Sequence, residues 1–346
     1  MIGAGFSSVD QALGFLEVAQ GNFDLMGWPH FTGGGQKLKF RSEFGSRRSE
    51  FDIGFTEPWF LDRKLALGFN VYRSEVEYDD YDIQRTGFAV SLSKALFGPN
   101  RLQLKYRVER DEVFDVTDTN EYVQLDTGES YFFAREEDTT ESSLRIGVAH
   151  DSRDNPFVPT RGLTANVFYS ISGGPLGLDT DLYRLGGSAT QYLPLWLGHV
   201  LLFRGRYEIV ESYGDSDNVN IADRLFIGGG RHLRGFEYRD VGPKAVPVGG
   251  SGSSYRPLGG RSLAYAGVEY TIPVVKNIRF ATFYDVGNVW SDAYELDPAD
   301  LAAGAGVGVR LDIPGFPIRI DRAWIMESDD ELTEEDPWSF WIGYDY

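Results

Sequence analysis

Hydrophobic and polar residues alternate along most of this chain. In residues 37 to 44, Leu38, Phe40 and Phe44 share one face, whereas the four odd positions are all charged. Residues 101 to 109 repeat this pattern. A period of two is typical of a β-strand with one apolar and one polar face. Such segments recur from end to end with few helix-period stretches between them, so the pattern predicts an all-β fold.

The alternating segments are long enough to cross a membrane. Many contain 9 to 13 residues, and a tilted membrane strand needs about 9 to 11. They number sixteen, an even count as bacterial outer-membrane barrels require. We therefore predict a transmembrane antiparallel β-barrel of sixteen strands. The strands are expected near residues 2–7, 12–22, 35–46, 49–59, 63–76, 83–96, 100–112, 140–150, 162–172, 182–193, 198–211, 262–272, 277–287, 303–312, 316–325 and 337–346.

The predicted connections differ strongly in length. Short ones include Gly45 to Arg48, Phe97 to Asn100 and Ile313 to Gly315, whereas residues 113–139 and 212–261 form long ones. This asymmetry is typical of a barrel with short periplasmic turns and long outer loops. The connection 212–261 is far above the usual loop length, which indicates either a function or disorder.

Composition separates a barrel from a helical membrane protein. The chain has 346 residues, 42% of them hydrophobic, and no Cys, so an ordered fold without disulfides is expected. No stretch approaches roughly 18 consecutive apolar residues, and the mean hydropathy is -0.29, which excludes a helical membrane protein. Barrel strands keep a low mean hydropathy because every second residue faces the lumen. We treat residues 1–346 as one barrel domain.

Charge argues against one class of partner. The net charge is -19, from 52 acidic and 33 basic residues, whereas nucleic-acid binding usually needs a basic face. The acidic clusters fall between predicted strands and indicate solvated loops. They lack EF-hand spacing and its turn glycine, so a divalent-cation site is the weaker interpretation. These clusters are Asp79, Asp80 and Asp82, then Asp215 and Asp217, then Glu327 to Glu331.

The chain shows no pattern typical of an enzyme or a metal centre. His30, His150, His199 and His232 lie far apart in the sequence, and there is no HExxH, Cys cluster, GxSxG or Walker motif. His150 and Asp151 are adjacent in a predicted strand, so they point to opposite faces and do not form a dyad. We predict no catalytic residue, no metal and no cofactor.

Small and aromatic residues fit the same barrel. Gly304, Gly306 and Gly308 alternate in a predicted strand, where small residues indicate tight curvature rather than a dinucleotide motif. Aromatic residues at strand ends are expected at the two membrane interfaces. They are Trp28, Trp59, Phe60, Trp196, Trp290 and Trp338.

An outer-membrane protein must be exported, yet no signal peptide follows Met1. We therefore expect this sequence to be the mature part, or a shortened part, of an exported protein.

Several motifs resemble those of the BamA/TamA superfamily of bacterial surface antigens. Leu233, Arg234, Gly235 and Phe236 are similar to the loop-six motif of that family, in which the first position is more often Val. Other matching segments occur in the same order along the chain, so the resemblance covers essentially all of it. They are Gly33 to Gly35, Thr56 to Asp62, Asp154 to Phe157 and Pro159 to Gly162.

The resemblance implies a sixteen-stranded barrel that follows periplasmic POTRA domains, which this chain lacks. It also implies that loop six folds into the lumen and sets Arg234 against acidic groups on strands twelve and thirteen. Alternation supports this placement, because Glu269 and Asp285 fall on faces that must point inward to avoid lipid. Arg suits the role because its planar fork engages two carboxylate oxygens at once. Gly235 allows a tight turn against the wall.

The first and last strands are predicted to form a weak lateral seam. The last strand alternates aromatic residues and ends with Tyr346, where the family more often has Phe or Trp, and Gly343 matches a position where that strand kinks. Few stable hydrogen bonds are expected between it and the short first strand. An open seam would expose backbone groups that template a client strand. The seam residues are Ile2, Gly3, Ala4, Gly5, Phe6, Phe340, Trp341, Ile342, Gly343 and Tyr344.

The resemblance therefore implies an assembly factor that inserts client β-barrels into the outer membrane of a Gram-negative-type bacterium. The implied partners are unfolded barrel clients, lipids with lipopolysaccharide, and accessory periplasmic lipoproteins. Two alternatives stay open at this point. One is a TamA-like or two-partner-secretion-like translocation pore on the same barrel. The other is a soluble multistrand binding protein, in which the alternation reflects a sandwich.

Overall fold

One large antiparallel sheet contains most of the chain. The computed structural model describes residues 2–7, 11–78, 80–117, 120–125, 127–128, 130–132, 135–214, 216, 218–248, 255–313, 317–328 and 332–342. Within these residues the protein consists of strands, turns and three short 3-10 helices, which confirms the predicted all-β class. No helix in the described part is long and apolar enough to span a membrane.

The strands of this sheet are numbered here in chain order. They are β1 Ile2–Ser7, β2 Gln11–Phe23, β3 Gln36–Gly45, β4 Arg48–Glu57, β5 Leu65–Glu77, β6 Asp82–Ala95, β7 Asn100–Phe114, β8 Glu137–Asp151, β9 Gly162–Ser172, β10 Leu182–Pro194, β11 Val200–Ser212, β12 Ser262–Val275, β13 Ile278–Trp290, β14 Ala302–Leu311, β15 Ile318–Glu327 and β16 Trp338–Ile342.

Each strand pairs with its neighbours in sequence, and β16 also pairs with β1, so the strand order returns to its start. Every pairing is antiparallel. In the described residues, β6 and β7 share fourteen residue pairs and β3 and β4 share eight, whereas β1 and β2 share six and β15 and β16 share five. In the described residues, β1 and β16 share two pairs, Phe6 with Ile342 and Ser7 with Trp341.

The two faces of the sheet carry opposite chemistry. Large apolar side chains stand exposed on the outer face, such as Ile53 at 51% and Val167 at 62%. Charged side chains point into the lumen, where Asp285 is fully buried. An exposed apolar band around a barrel is the arrangement that lipid contact requires.

Two details differ from the sequence prediction. Gly45 to Arg48 joins β3 to β4, so it lies at the same end as the long connections and not at the short-turn end. Length therefore fails as a marker of the barrel end for this hairpin, and the four residues between β5 and β6 lie at the same end. Trp290 is only 4% exposed, so its predicted interfacial position is wrong. Trp290 is the last residue of β13. Its backbone oxygen accepts a hydrogen bond from Arg261 N at 2.9 Å.

The two longest loops form a second, smaller sheet. Loop four, residues 115–136, joins β7 to β8, and loop six, residues 213–261, joins β11 to β12. Strand Glu121–Gln124 of loop four pairs with Lys244–Pro247 of loop six. Ser130–Phe132 and Arg256–Pro257 extend the sheet on its two sides. Sequence pattern alone did not predict this sheet, because each strand is short and its partner is distant in sequence.

Residues 152–161 form an ordered turn between β8 and β9. The Asp154 carboxylate accepts hydrogen bonds from Thr160 N at 2.9 Å and Arg161 N at 3.2 Å. His150 contacts Ser152 Oγ at 3.0 Å, but that oxygen also accepts a bond from Leu163 N at 3.1 Å. The Ser152 hydroxyl therefore joins the ends of the turn. The motif around residue 154 has a structural role here.

Candidate functional site

Arg234, in loop six, is the centre of a buried ion network inside the barrel. Its side chain is 3% exposed. Arg234 Nε donates to Asp285 Oδ2 at 2.6 Å, and Nη2 donates to Asp285 Oδ1 at 3.1 Å. Nη1 lies 2.8 Å from Glu269 Oε2. The structure thus brings together the three residues that the sequence predicted would meet, Arg234 with Glu269 on β12 and Asp285 on β13.

The wall around Arg234 contains further charged groups. Asp321 on β15 lies 3.5 Å from Arg234 Nη1. Arg310 on β14 bonds to Asp321 Oδ1 at 2.5 Å and to Glu269 Oε2 at 3.0 Å. Three carboxylates therefore share two buried guanidinium groups. Such a network is costly to disrupt, because removing one member leaves an uncompensated buried charge.

Two aromatic residues complete the contact. The Tyr265 hydroxyl donates to Asp285 Oδ1 at 2.9 Å, which gives this carboxylate oxygen a second donor. The Arg234 guanidinium carbon lies 3.4 Å from the centre of the Phe283 ring. A planar guanidinium stacks on an aromatic face in a way that an ammonium does not. Arg234 is therefore held by ion pairs, by directional hydrogen bonds and by stacking on the Phe283 ring.

Glycines of β14 make room for the loop. A Cβ atom on Gly304 would lie 2.2 Å from the backbone oxygen of Arg234, and one on Gly308 would lie 1.7 Å from Asp321 Oδ1. Gly235 has a φ of 102°, a conformation that L side chains rarely adopt. Gly304 and Gly235 let the backbone of loop six approach the wall closely, and Gly308 leaves room for the Asp321 carboxylate. These roles are more specific than the tight curvature predicted from sequence.

Loop six also pairs with the segment that leads into the last strand. This segment belongs to loop eight, residues 328–337, between β15 and β16. Gly235 pairs with Asp336 and Phe236 with Glu335. Phe236 and Leu233 are both fully buried. All four residues of the predicted loop-six motif, Leu233, Arg234, Gly235 and Phe236, are therefore buried against the barrel or loop eight.

Carboxylates meet where loops six and eight join. Asp240 is 3% exposed, and its Oδ2 accepts a bond from Glu334 N at 2.6 Å. The Tyr255 hydroxyl donates to the same oxygen at 3.2 Å. Burial raises the pKa of Asp240 to about 6. Burial and the neighbouring Glu334 raise the pKa of Glu237 to about 7.

Arg231 of loop six contacts the last strand as well. The Arg231 guanidinium lies 4.3 Å from the centre of the Trp341 ring. Trp341 is paired with Ser7 across the seam. Loop six therefore contacts β16 directly as well as through loop eight.

The structure places the predicted seam residues in part. Phe6 pairs with Ile342, and Phe340 pairs with Ile320 of β15. Ile2, Gly3, Ala4 and Gly5 pair with β2. Gly343 and Tyr344 lie outside the described residues.

Arg310 and Asp321 are site residues that the sequence reasoning missed. Both carry a signal of the kind that located Asp285. Asp321 alternates with Ile318 and Ile320, and Arg310 follows the glycine track of β14 on the same face. A charged side chain on an inward face of a membrane strand is a candidate partner for a loop residue of opposite charge.

No group of three or more His, Cys, Asp or Glu residues in the described part of the chain is arranged to hold a metal ion. The carboxylates around Arg234 are instead neutralised by guanidinium groups.

Comparison with known proteins decides the family. Residues 30–346 match the Omp85 superfamily domain. The chain belongs to the Omp85 superfamily. This Omp85 chain lies in the outer membrane of a Gram-negative-type bacterium, as a β-barrel.

Two curated relatives of this Omp85 chain are outer membrane protein assembly factors named BamA. The protein from Nitratidesulfovibrio vulgaris is 26% identical over 298 residues, which cover 83% of this chain and 36% of that protein. The protein from Neisseria meningitidis serogroup B is 23% identical over 335 residues, which cover 86% of this chain and 41% of that protein. The chain therefore spans less than half the length of these relatives.

Solved structures show the same fold. BamA from Haemophilus ducreyi lacking POTRA domains 1-3 superposes with a TM-score of 0.83 at 20% identity, covering 99% of this chain and 69% of that one. CdiB from Acinetobacter baumannii gives a TM-score of 0.57 at 15% identity, covering 100% of this chain and 59% of that one.

Proposed function

We propose that this chain is the sixteen-stranded transmembrane barrel of an outer-membrane protein assembly factor, with loop six folded into its lumen. In this proposal it folds and inserts client β-barrels through the seam between β1 and β16. The implied partners are unfolded barrel clients, outer-membrane lipids with lipopolysaccharide, and accessory periplasmic lipoproteins. No covalent chemistry, metal or cofactor is required, because strand pairing and lipid burial of the client supply the free energy.

The seam carries the proposal. Within the described residues, β1 and β16 share two residue pairs, Phe6 with Ile342 and Ser7 with Trp341. Each backbone hydrogen bond contributes only about 1 kcal/mol net in water, so a client strand that offers replacement bonds can take the place of one edge of this ladder. Separated edges expose backbone donors and acceptors, which lipid cannot satisfy and a client strand can.

Loop six gives the seam a means of control. The loop is bonded to the wall through Arg234, to loop eight through Gly235 and Phe236, and to β16 through Arg231. A movement of β16 must therefore alter the contacts of loop six. In this proposal, docked loop six stabilises the closed seam, and Arg234, Glu269 and Asp285 act as its internal latch.

A translocation pore on the same barrel is the alternative. Pores need a passage through the lumen, whereas in this structure loop six and the Arg234 network occupy part of it. The occupied lumen favours the assembly function. Steady conductance of the purified protein in planar bilayers would support the pore instead.

The experiment locks the seam. The native chain has no Cys, so Phe6→Cys with Ile342→Cys forms a disulfide only across paired positions of β1 and β16. The matched control is Ile320→Cys with Phe340→Cys, which joins β15 to β16 at another pair. Each variant is made as the full protein in the cell, and the assembly of client barrels is measured there. The proposal predicts that the seam lock stops client assembly until reductant is added, and that the control does not. Normal client assembly with a fully oxidised seam would overturn it.

A further inference from the structure

Loop six touches a second region of the lumenal wall, separate from the Arg234 site. Arg85 on β6 donates from Nη2 to the backbone oxygen of Ala222 at 2.7 Å. Arg184 on β10 forms an ion pair with the Asp223 carboxylate. The side chains of Arg184 and Asp223 are 26% and 12% exposed. Both contacts join loop six to arginine side chains. The neighbouring carboxylates of Asp111, Glu109 and Glu141 are paired with Arg85 or Arg107.

Apolar packing and a further polar bond hold the same part of the loop. The Asn220 side chain donates to a carboxylate oxygen of Glu137 on β8. Ile221 is 7% exposed and belongs to a buried apolar cluster that joins loop six to β6, β7 and loop four. The other members of this cluster are Tyr81, Ile83, Val113, Tyr122, Ala245 and Leu258.

The Arg234 region is built in a similar way. Leu233 and Phe236 belong to a different buried cluster, which includes Leu182 of β10 and Val210 of β11 as well as Leu263 of β12 and Val289 of β13. Each region thus combines ion pairing with a buried apolar cluster. The polar wall contacts of the first region lie on β6, β8 and β10, whereas the hydrogen-bond network of Arg234 lies on β12 to β15. Loop six begins after β11, contacts both regions of the wall, and ends at β12.

We propose that loop six is fixed at two anchors of opposite charge, and that Asp223, paired with Arg184, positions the loop so that Arg234 reaches the acidic wall. This inference rests on the proposed function of the loop as the support of the seam. Asp223 is a positioning residue, since it acts through the placement of Arg234.

The charge of each loop residue matches its own partner on the wall. Asp223 pairs with the Arg184 guanidinium, whereas Arg234 pairs with the Asp285 carboxylate. Exchanging the two would set Asp223 against Asp285 and Arg234 against Arg184, and like charges in a buried site repel. The two pairs therefore favour the observed orientation of the loop.

The test measures docking of loop six without measuring client assembly. The variant is Asp223→Asn, in the full protein folded in outer membranes. The matched control is Asp138→Asn, which removes a carboxylate from an exposed pair with Arg110, both side chains being more than half exposed. Trypsin cleavage between residues 213 and 261 reports the fraction of undocked loop when opening is fast. Gel mobility without heating reports whether the barrel is folded.

The proposal predicts cleavage about tenfold faster in Asp223→Asn than in the control, because a buried hydrogen bond to a charged partner is lost. Asp223→Glu, which keeps the charge, is expected to restore much of the protection. Combining Asp223→Asn with Arg234→Ala should accelerate cleavage by more than the product of the single effects, since each anchor retains the loop when the other is absent.

Unchanged cleavage in Asp223→Asn, together with rapid cleavage in Arg234→Ala, would overturn the two-anchor proposal. If Asp223→Asn does not fold, Arg184→Gln removes the wall partner and is measured in the same way, with the same two outcomes. Client assembly is measured separately on each preparation. A loosened loop with normal client assembly would support the second anchor and contradict the proposed function, so the two failures are distinguishable.

Discussion

Arg234 engages Asp285 with two parallel hydrogen bonds, Nε to Oδ2 at 2.6 Å and Nη2 to Oδ1 at 3.1 Å, across 51 positions of sequence. The pair joins a loop to the inner wall of a membrane barrel. Both side chains are buried, so neither can exchange its partner for bulk water. Glu269 and Asp321 share the same guanidinium group, and the whole contact depends on one cation supplied by loop six.

Removing this cation should release loop six. Arg234→Ala leaves Glu269 and Asp321 with Arg310 and leaves Asp285 with Arg204 at 4.0 Å. Breaking a buried pair from one side costs about 3 to 5 kcal/mol. Arg234→Lys should have an intermediate effect, because an ammonium group cannot form the parallel pair of bonds or stack on Phe283. Trypsin cleavage in loop six and the midpoint of thermal unfolding measure the two effects.

The control for this prediction is Arg110→Ala, which removes an arginine from an exposed ion pair with Asp138. Exposed pairs contribute little to stability, so its cleavage rate should match the native protein. Equal protection of loop six in Arg234→Ala and Arg110→Ala would contradict the role of the buried network.

A single added methyl group on β14 should displace the loop. Gly304→Ala would place a Cβ 2.2 Å from the backbone oxygen of Arg234, and backbone cannot rotate away as a flexible side chain can. Overpacking of this kind typically costs about 1 to 3 kcal/mol. Gly205→Ala in β11 is the matched control, because its nearest heavy atom would be 3.8 Å away. Faster trypsin cleavage of loop six is expected for the first variant alone. Two equally protected variants would show that β14 does not limit the approach of the loop.

The contact between loops six and eight should weaken as the pH rises. Burial raises the pKa of Asp240 to about 6 and that of Glu237 to about 7, above the values of about 4 in an unfolded chain. The docked loops therefore bind protons more tightly than separated loops do. Their contact is most stable below about pH 4 and loses stability through about pH 7, where both carboxyl groups are charged.

A nitroxide label at Tyr238, which is 48% exposed, can follow this contact. The label is expected to be more mobile at about pH 8 than at about pH 5. Glu237→Gln should reduce the difference because its amide stays neutral, whereas Glu295→Gln in the loop between β13 and β14 should not. Equal mobility at both pH values in the native protein would refute this prediction.

Much of the barrel was predictable from local pattern. Period-two alternation located strand segments that overlap β1 to β16, because membrane strands must present apolar residues to lipid and polar residues to the lumen. The same rule assigned the inward faces of Glu269 and Asp285. It needs only the residues of one strand, so a single sequence is sufficient.

Contacts between distant segments were harder to predict. The pairing of Gly235 and Phe236 with loop eight depends on where two loops meet in space. The bond from Arg234 to Asp321 joins residues 87 positions apart. In both examples, the sequence around each residue shows no pattern that identifies the residue it contacts. The loop-six motif was found through resemblance to a family. The alternation of apolar and polar residues then identified Glu269 and Asp285, two of the three acidic partners of Arg234.

The most direct test of the central claim is to ask which edge of the barrel a client strand joins. A cysteine is introduced at Phe6 of β1, and single cysteines are placed along the terminal strand of a client barrel that is halted during assembly. The account predicts disulfides between Phe6→Cys and one register of client positions, and none with a control cysteine at Ile53, which lies on the outer face of β4 away from the seam. Equal cross-linking at both sites, or none at β1, would contradict insertion through the seam.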